Sequence, residues 1–169
     1  MARLFFAVWP DASAAAALAR LAKEVAQVAG GRAVPAEKLH LTLAFLGEVD
    51  ESRRDALSRC ARPQAGRLHL DLDRVGSFRR AQVAWAGASA PPRELIQAQE
   101  MLAGRLAAAG FAVEERQYTP HVTLARRIER PVPPEPIAPI AWNADELTLV
   151  RSETGTGRYT VLERWPLGA

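Results

Sequence analysis

His40-Leu-Thr-Leu43 and His121-Val-Thr-Leu124 are two copies of one pattern, and their reading decides the fold. Both lie in apolar runs, Leu39 to Leu46 and Val122 to Ala125, of the length and aliphatic content of β-strands. Side chains alternate between the faces of a strand, so each His shares a face with its Thr while the flanking Leu and Val residues point the other way. Each copy therefore sets an imidazole beside a hydroxyl. The chain holds three histidines in all, and two of them carry the pattern.

Upstream of the first copy, Leu4 to Trp9 reads as a short buried strand stopped by Pro10. Asp11 can then cap a helix from about Ser13 to Ala29, with Leu18, Leu21, Val25 and Val28 as its apolar stripe and Gly30-Gly31 as its end. Gly47 closes the strand of His40, Asp50 caps a helix through about Cys60, and Leu68 to Asp73 alternates as a half-buried strand. The same order then recurs. Gln82 to Gly87 is a strand, Ser89-Ala-Pro-Pro-Arg-Glu opens a helix with Leu95, Ala98, Leu102, Leu106 and Ala109 on its stripe, and Gly110 ends it before the strand of His121. Strand, helix and HxTL strand thus appear twice, at about 3–47 and 80–127, as a single duplication inside one domain spanning 1–169. Pro131 to Pro136 reads as a stiff extended connector. Trp142, Glu146 to Arg151 and Arg158 to Trp165 supply the last strands, with Gly155-x-Gly157 as a hairpin loop.

At 169 residues, 49% hydrophobic and 24% charged, the chain can bury a core without disulfides or metals. The lone Cys60 forms no internal disulfide and fits a reducing compartment. The apolar start, Met1 to Trp9, is too short for a signal peptide and no run approaches a membrane span, so a cytoplasmic protein is expected. A net charge of +3, spread along the chain, favours a polyanionic partner only weakly.

Two duplicated units packed about a pseudo-twofold axis would bring their polar strand faces together in one cleft. Two imidazoles, with an unperturbed pKa near 6.5, serve a reaction that needs both a base and an acid near neutral pH. Threonine hydroxyls beside them can donate to non-bridging phosphoryl oxygens. The set suits metal-independent phosphodiester cleavage. Three other readings compete: core imidazoles satisfied by Thr, metal ligation by two His that lack a third ligand, and a Thr nucleophile that lacks an orienting carboxylate. His69, beside Asp71 and without a Thr partner, reads as solvated or structural.

His40-Leu-Thr-Leu-Ala-Phe-Leu-Gly47 and Pro120-His-Val-Thr-Leu-Ala-Arg126 resemble the paired HxTx motifs of the 2H phosphoesterase superfamily. Within it they resemble the bacterial and archaeal RNA 2′,3′-cyclic phosphodiesterases, also called 2′-5′ RNA ligases. The likeness extends to Arg3-Leu-Phe-Phe-Ala-Val8, Phe78 to Gly87, and the ending Leu147 to Ser152 with Gly157 to Leu167. The resemblance implies an α+β fold of two pseudo-symmetric lobes, each an antiparallel sheet with helices packed outside, around a central cleft. It implies hydrolysis of RNA 2′,3′-cyclic phosphate ends to 2′-phosphomonoesters with no metal or other cofactor, by a monomer acting on RNA such as tRNA fragments. His121 would be proton acceptor and His40 proton donor, with Thr42 and Thr123 holding the phosphoryl oxygens. Ligation in the reverse direction, or binding of RNA ends without turnover, are the alternatives.

Phe45 and Arg126 each stand five positions after their His, and the resemblance makes them substrate-binding residues that sandwich the terminal base. Strict alternation would turn both away from the His, so a strand end or bulge is expected near Gly47 and Arg127. Tyr118 stands where the family commonly has Phe, and joins them as a third candidate tied to substrate preference.

Overall fold

The computed structural model describes residues 1–62 and 66–168. Its elements in chain order are β1 (Ala2–Val8), α1 (Ala12–Ala29), β2 (Arg32–Ala33), β3 (Leu41–Val49), α2 (Arg54–Ala61), β4 (Leu68–Phe78), β5 (Val83–Gly87), α3 (Arg93–Ala108), β6 (His121–Arg126), β7 (Glu135–Ala144), β8 (Glu146–Ser152) and β9 (Tyr159–Pro166). The architecture is α+β. All pairings are antiparallel, in the order β7-β4-β5-β6-β3-β1-β8-β9, with β2 added beside β6.

The two HxTL strands, β6 and β3, are the central pair of this order, yet they share only one paired position, Leu41 with Val122. The sheet is therefore two four-stranded halves, β3-β1-β8-β9 and β6-β5-β4-β7, hinged at the motifs. The two long helices cross over. α1 packs on β6 and β7 of the other half, and α3 packs on β3, so each covers the opposite copy's motif strand, while α2 packs on α3. One hydrophobic core, from Leu18 and Val25 through Leu41, Leu43, Leu95 and Leu102 to Val122 and Leu124, accordingly runs through both halves. Among the described residues, the opposite face of the sheet carries a small buried cluster of Phe5, Ala7 and Val150.

Local signals place the element ends. The Asp11 carboxylate accepts from Ala14 N at 2.9 Å to cap α1, and Gly30, at φ 74°, ends it in the left-handed conformation. The buried stripe of α1 departs from the expected one: it is Ala14, Leu18, Ala22, Val25 and Ala29, while Val28 is 74% exposed. Small residues face the sheet because the helix lies close over β6. The Pro-rich stretch also departs from expectation. Pro136 and Pro139 lie inside β7, at the sheet edge, where a missing N–H breaks no ladder bond.

Gly76 of β4 lies under the indole of Trp85, its cross-strand partner in β5. A Cβ there would stand 2.4 Å from the ring, so the indole or the backbone would have to shift. Gly76→Ala is expected to cost about 1–3 kcal/mol of unfolding free energy, the usual range for overpacking. Urea denaturation checks it; a loss below about 0.5 kcal/mol would mean that the indole moves aside freely.

Candidate active site

His40 immediately precedes β3 and His121 is the first residue of β6. In both copies the imidazole Nδ1 meets the carbonyl two residues upstream, Lys38 O at 2.7 Å and Thr119 O at 2.9 Å. A carbonyl only accepts, so Nδ1 carries the hydrogen in each ring and Nε2 is left for chemistry. This shared tether belongs to the repeat as much as the four-letter pattern does. Nε2 of His40 lies 3.1 Å from Thr42 Oγ1.

A cleft of about 670 Å³ on the helix-free face brings His40, Thr42 and Phe45 together with His121, Thr123 and Arg126. Phe45 and Arg126 reach it through matching bulges. The register of β1 with β3 skips Leu43, between Ala7↔Thr42 and Phe6↔Ala44, and that of β5 with β6 skips Leu124, between Trp85↔Thr123 and Ala84↔Ala125. The extra residue restores the side chain five places after His to the His face. These bulges sit on the Leu that ends each HxTL pattern; at the expected positions the β1–β3 register shifts again at Leu46, beside Gly47, and β6 ends at Arg126, directly before Arg127.

The wall also holds Arg3, Arg32, Lys38 and Arg127, which the sequence reading did not single out. Among the described residues none of these four, nor Arg126, takes part in an ion pair. Lys38 donates its Nζ to Gly157 O and lies 5.3 Å from the Tyr159 ring centroid. Such unneutralised positive charge makes the cleft a receptor for anions.

The two imidazoles differ in surroundings. Phe5 stacks on His40 at 5.0 Å, Trp9 lies at 5.1 Å and Tyr159 meets it edge-on at 5.6 Å. That burial pushes the His40 pKa down to about 4; the Lys38 carbonyl opposes the shift, and the charges of Arg126 and His121 add to it. Arg126 thus acts on the ring of the opposite copy. His121 instead meets the edge of Phe78 at 5.1 Å.

Tyr118 lies apart from Phe45 and Arg126. Its hydroxyl donates to the Thr42 carbonyl at 2.9 Å, and burial pushes the phenol pKa up. It braces the strand of the opposite copy and is not among the residues lining the cleft. His69 pairs through Nδ1 with Asn143 Oδ1 at 2.8 Å, away from the cleft, and Cys60 is buried in the core. Among the described residues no three His, Cys, Asp or Glu side chains are grouped to hold a metal ion, and no helix is long and apolar enough to cross a membrane.

In both copies a tethered His at or just before the strand start is followed by Thr and a bulge, which makes a candidate two-histidine site. A family model, the 2'-5' RNA ligase superfamily, matches residues 9–156, and the chain belongs to that family. It is 42% identical over 141 residues to the RNA 2',3'-cyclic phosphodiesterase of Escherichia coli K12, covering 81% of this chain and 80% of the relative. The enzyme of the same name from Thermus thermophilus is 34% identical, with 98% and 90% covered. Among solved structures, E. coli LigT complexed with 3'-AMP superposes with a TM-score of 0.87 at 37% identity, with 99% of each chain covered.

Proposed function

We propose that this protein hydrolyses the 2′,3′-cyclic phosphate at an RNA 3′ end to a 2′-phosphomonoester. The observation that carries the reading is the pair of tethered imidazoles, each with its Thr, in one cation-lined cleft. The names of the relatives support it, as does a LigT relative crystallised with 3'-AMP.

In the proposed reaction His121 Nε2 takes a proton from the attacking water, and His40 Nε2 protonates the departing 3′ oxygen. Thr42 and Thr123 donate to the non-bridging oxygens, and Arg126 offsets their charge. Burial keeps His40 neutral in the free protein, so its proton must arrive with the substrate. A phosphodiester anion beside the ring offsets the desolvation cost, and the faces of Phe5 and Trp9 favour the cation once it forms. The Thr42 hydroxyl, which can donate only to an unprotonated Nε2, is then released to turn to the phosphate.

The test is incubation of the purified protein with an oligoribonucleotide ending in a 2′,3′-cyclic phosphate, with EDTA present. Turnover to the 2′-phosphate is expected. No product would overturn the reading, and loss of activity on chelation would overturn its metal independence. Phe45→Ala and Arg126→Ala are each expected to raise KM about tenfold or more, since a base stacked on an aromatic ring or guanidinium is worth about 1–3 kcal/mol. Parent values of both KM and kcat would remove these residues from substrate binding.

A further inference from the structure

Beyond the cleft lining, the sheet face that carries His121 continues along β5 and β4. The cross-strand pairs Gly87↔His121, Trp85↔Thr123, Gly76↔Trp85, Arg74↔Gly87 and Phe78↔Val83 put Arg74, Phe78 and Trp85 on the face that carries His121 and Thr123. Phe78 turns an edge to His121, packs 5.7 Å from Trp85, and is 37% exposed. The Arg74 guanidinium lies 6.0 Å from the Trp85 ring centroid, and the turn after Phe78 exposes Arg79 and Arg80. Among the described residues none of these three arginines is in an ion pair.

The pseudo-symmetry shows that this strip is particular to one half. In the other half the Trp9 indole N–H donates to Thr148 Oγ1 at 2.8 Å, and Phe5, Trp9 and Tyr159 close over His40. By register the counterpart of Thr148 is Gly76, which has no hydroxyl, and Trp85 Nε1 is buried without a partner. One side of the cleft is thus sealed by rings. The other is open, with an aromatic surface rimmed by positive charge that leads directly away from His121.

We infer that this strip is a binding site for the single-stranded RNA on the 5′ side of the cyclic end. The base of the penultimate nucleotide stacks on Phe78, backed by Trp85, and the phosphates beyond it meet Arg74, Arg79 and Arg80. Every base has a π-face, so such a site binds without regard to sequence, and its guanidiniums make it sensitive to salt. The inference rests on the cyclic phosphate lying between His40 and His121.

The experiment compares kcat/KM for a nucleoside 2′,3′-cyclic monophosphate with that for a short oligoribonucleotide ending in the same cyclic nucleoside. The wild type is expected to favour the oligonucleotide by on the order of tenfold or more, the worth of one stacked base. Phe78→Ala should cut that ratio several-fold and Phe78→Trp should restore it. The exposed double variant Arg79→Gln/Arg80→Gln should lower the ratio and flatten its dependence on salt. Taking a ratio cancels any effect of these changes on His121 or on the fraction of folded protein. A wild-type ratio near one, or ratios unmoved in both variants, would overturn the site. Failure of the wild type on both substrates would instead overturn the assigned reaction.

Discussion

His40→Ala and His121→Ala are each expected to lower kcat/KM by about 10³ to 10⁴, the upper range of what one general acid or base contributes. The His121 ring is held by a single bond to a carbonyl at the rim of the sheet, so His121→Ala should leave the fold intact by unfolding titration. His40→Ala also empties the space among Phe5, Trp9 and Tyr159, and its stability must be measured alongside its rate. The roles separate by leaving group. An activated phosphodiester whose leaving group departs without protonation should largely rescue the variant lacking the acid, His40→Ala, and do little for His121→Ala. Equal rescue of both, or rescue of His121→Ala alone, would overturn the assignment of acid and base, and unchanged turnover in either variant would end the two-histidine mechanism.

The residues of this mechanism were legible because they obey local rules. Strand alternation puts Thr42 on the face of His40 and Thr123 on that of His121, and capping chemistry at Asp11 and Gly30 marks both ends of α1. What escaped is set by contacts between distant parts of the chain. No local signal says that α1 crosses to β6, and so its buried face is Ala14, Ala22 and Ala29 with Leu18 and Val25, while Val28 faces water. A bulge has no composition of its own. Strict alternation demands a strand end or bulge before Phe45 and Arg126 can reach the cleft, but only the registers place bulges at Leu43 and Leu124. Tyr118 sits next to the motif in sequence, yet its hydroxyl is spent on the Thr42 carbonyl. The rings around His40 come from β1, β9 and the residue after β1, a convergence that the pairing of those strands creates and that breaks the equivalence of the two histidines.

That broken equivalence should appear as acid sensitivity. Between about pH 7.5 and 4.5 the burial of His40 alone is expected to remove on the order of 2–3 kcal/mol of unfolding free energy, from a folded pKa of about 4 against an ordinary value of 6.5. The sign follows from proton uptake: below 6.5 the unfolded chain binds a proton on this ring while the folded one does not, until the pH approaches 4. The folded state is thus fully favoured above 6.5 and loses ground as the pH falls. Urea titrations of the wild type and of His40→Gln across this range isolate the effect, because the glutamine cannot titrate. Parallel stability curves for the two proteins would show that the rings do not depress the imidazole. The same linkage ties stability to the reaction. If a bound phosphate raises the His40 pKa, as the proton-donor role demands, inorganic phosphate at about pH 5 should be taken up together with a proton. NMR titration of the His40 ring should then show its midpoint move upward with phosphate, and a midpoint that stays at its free value would leave His40 without the charge that an acid needs.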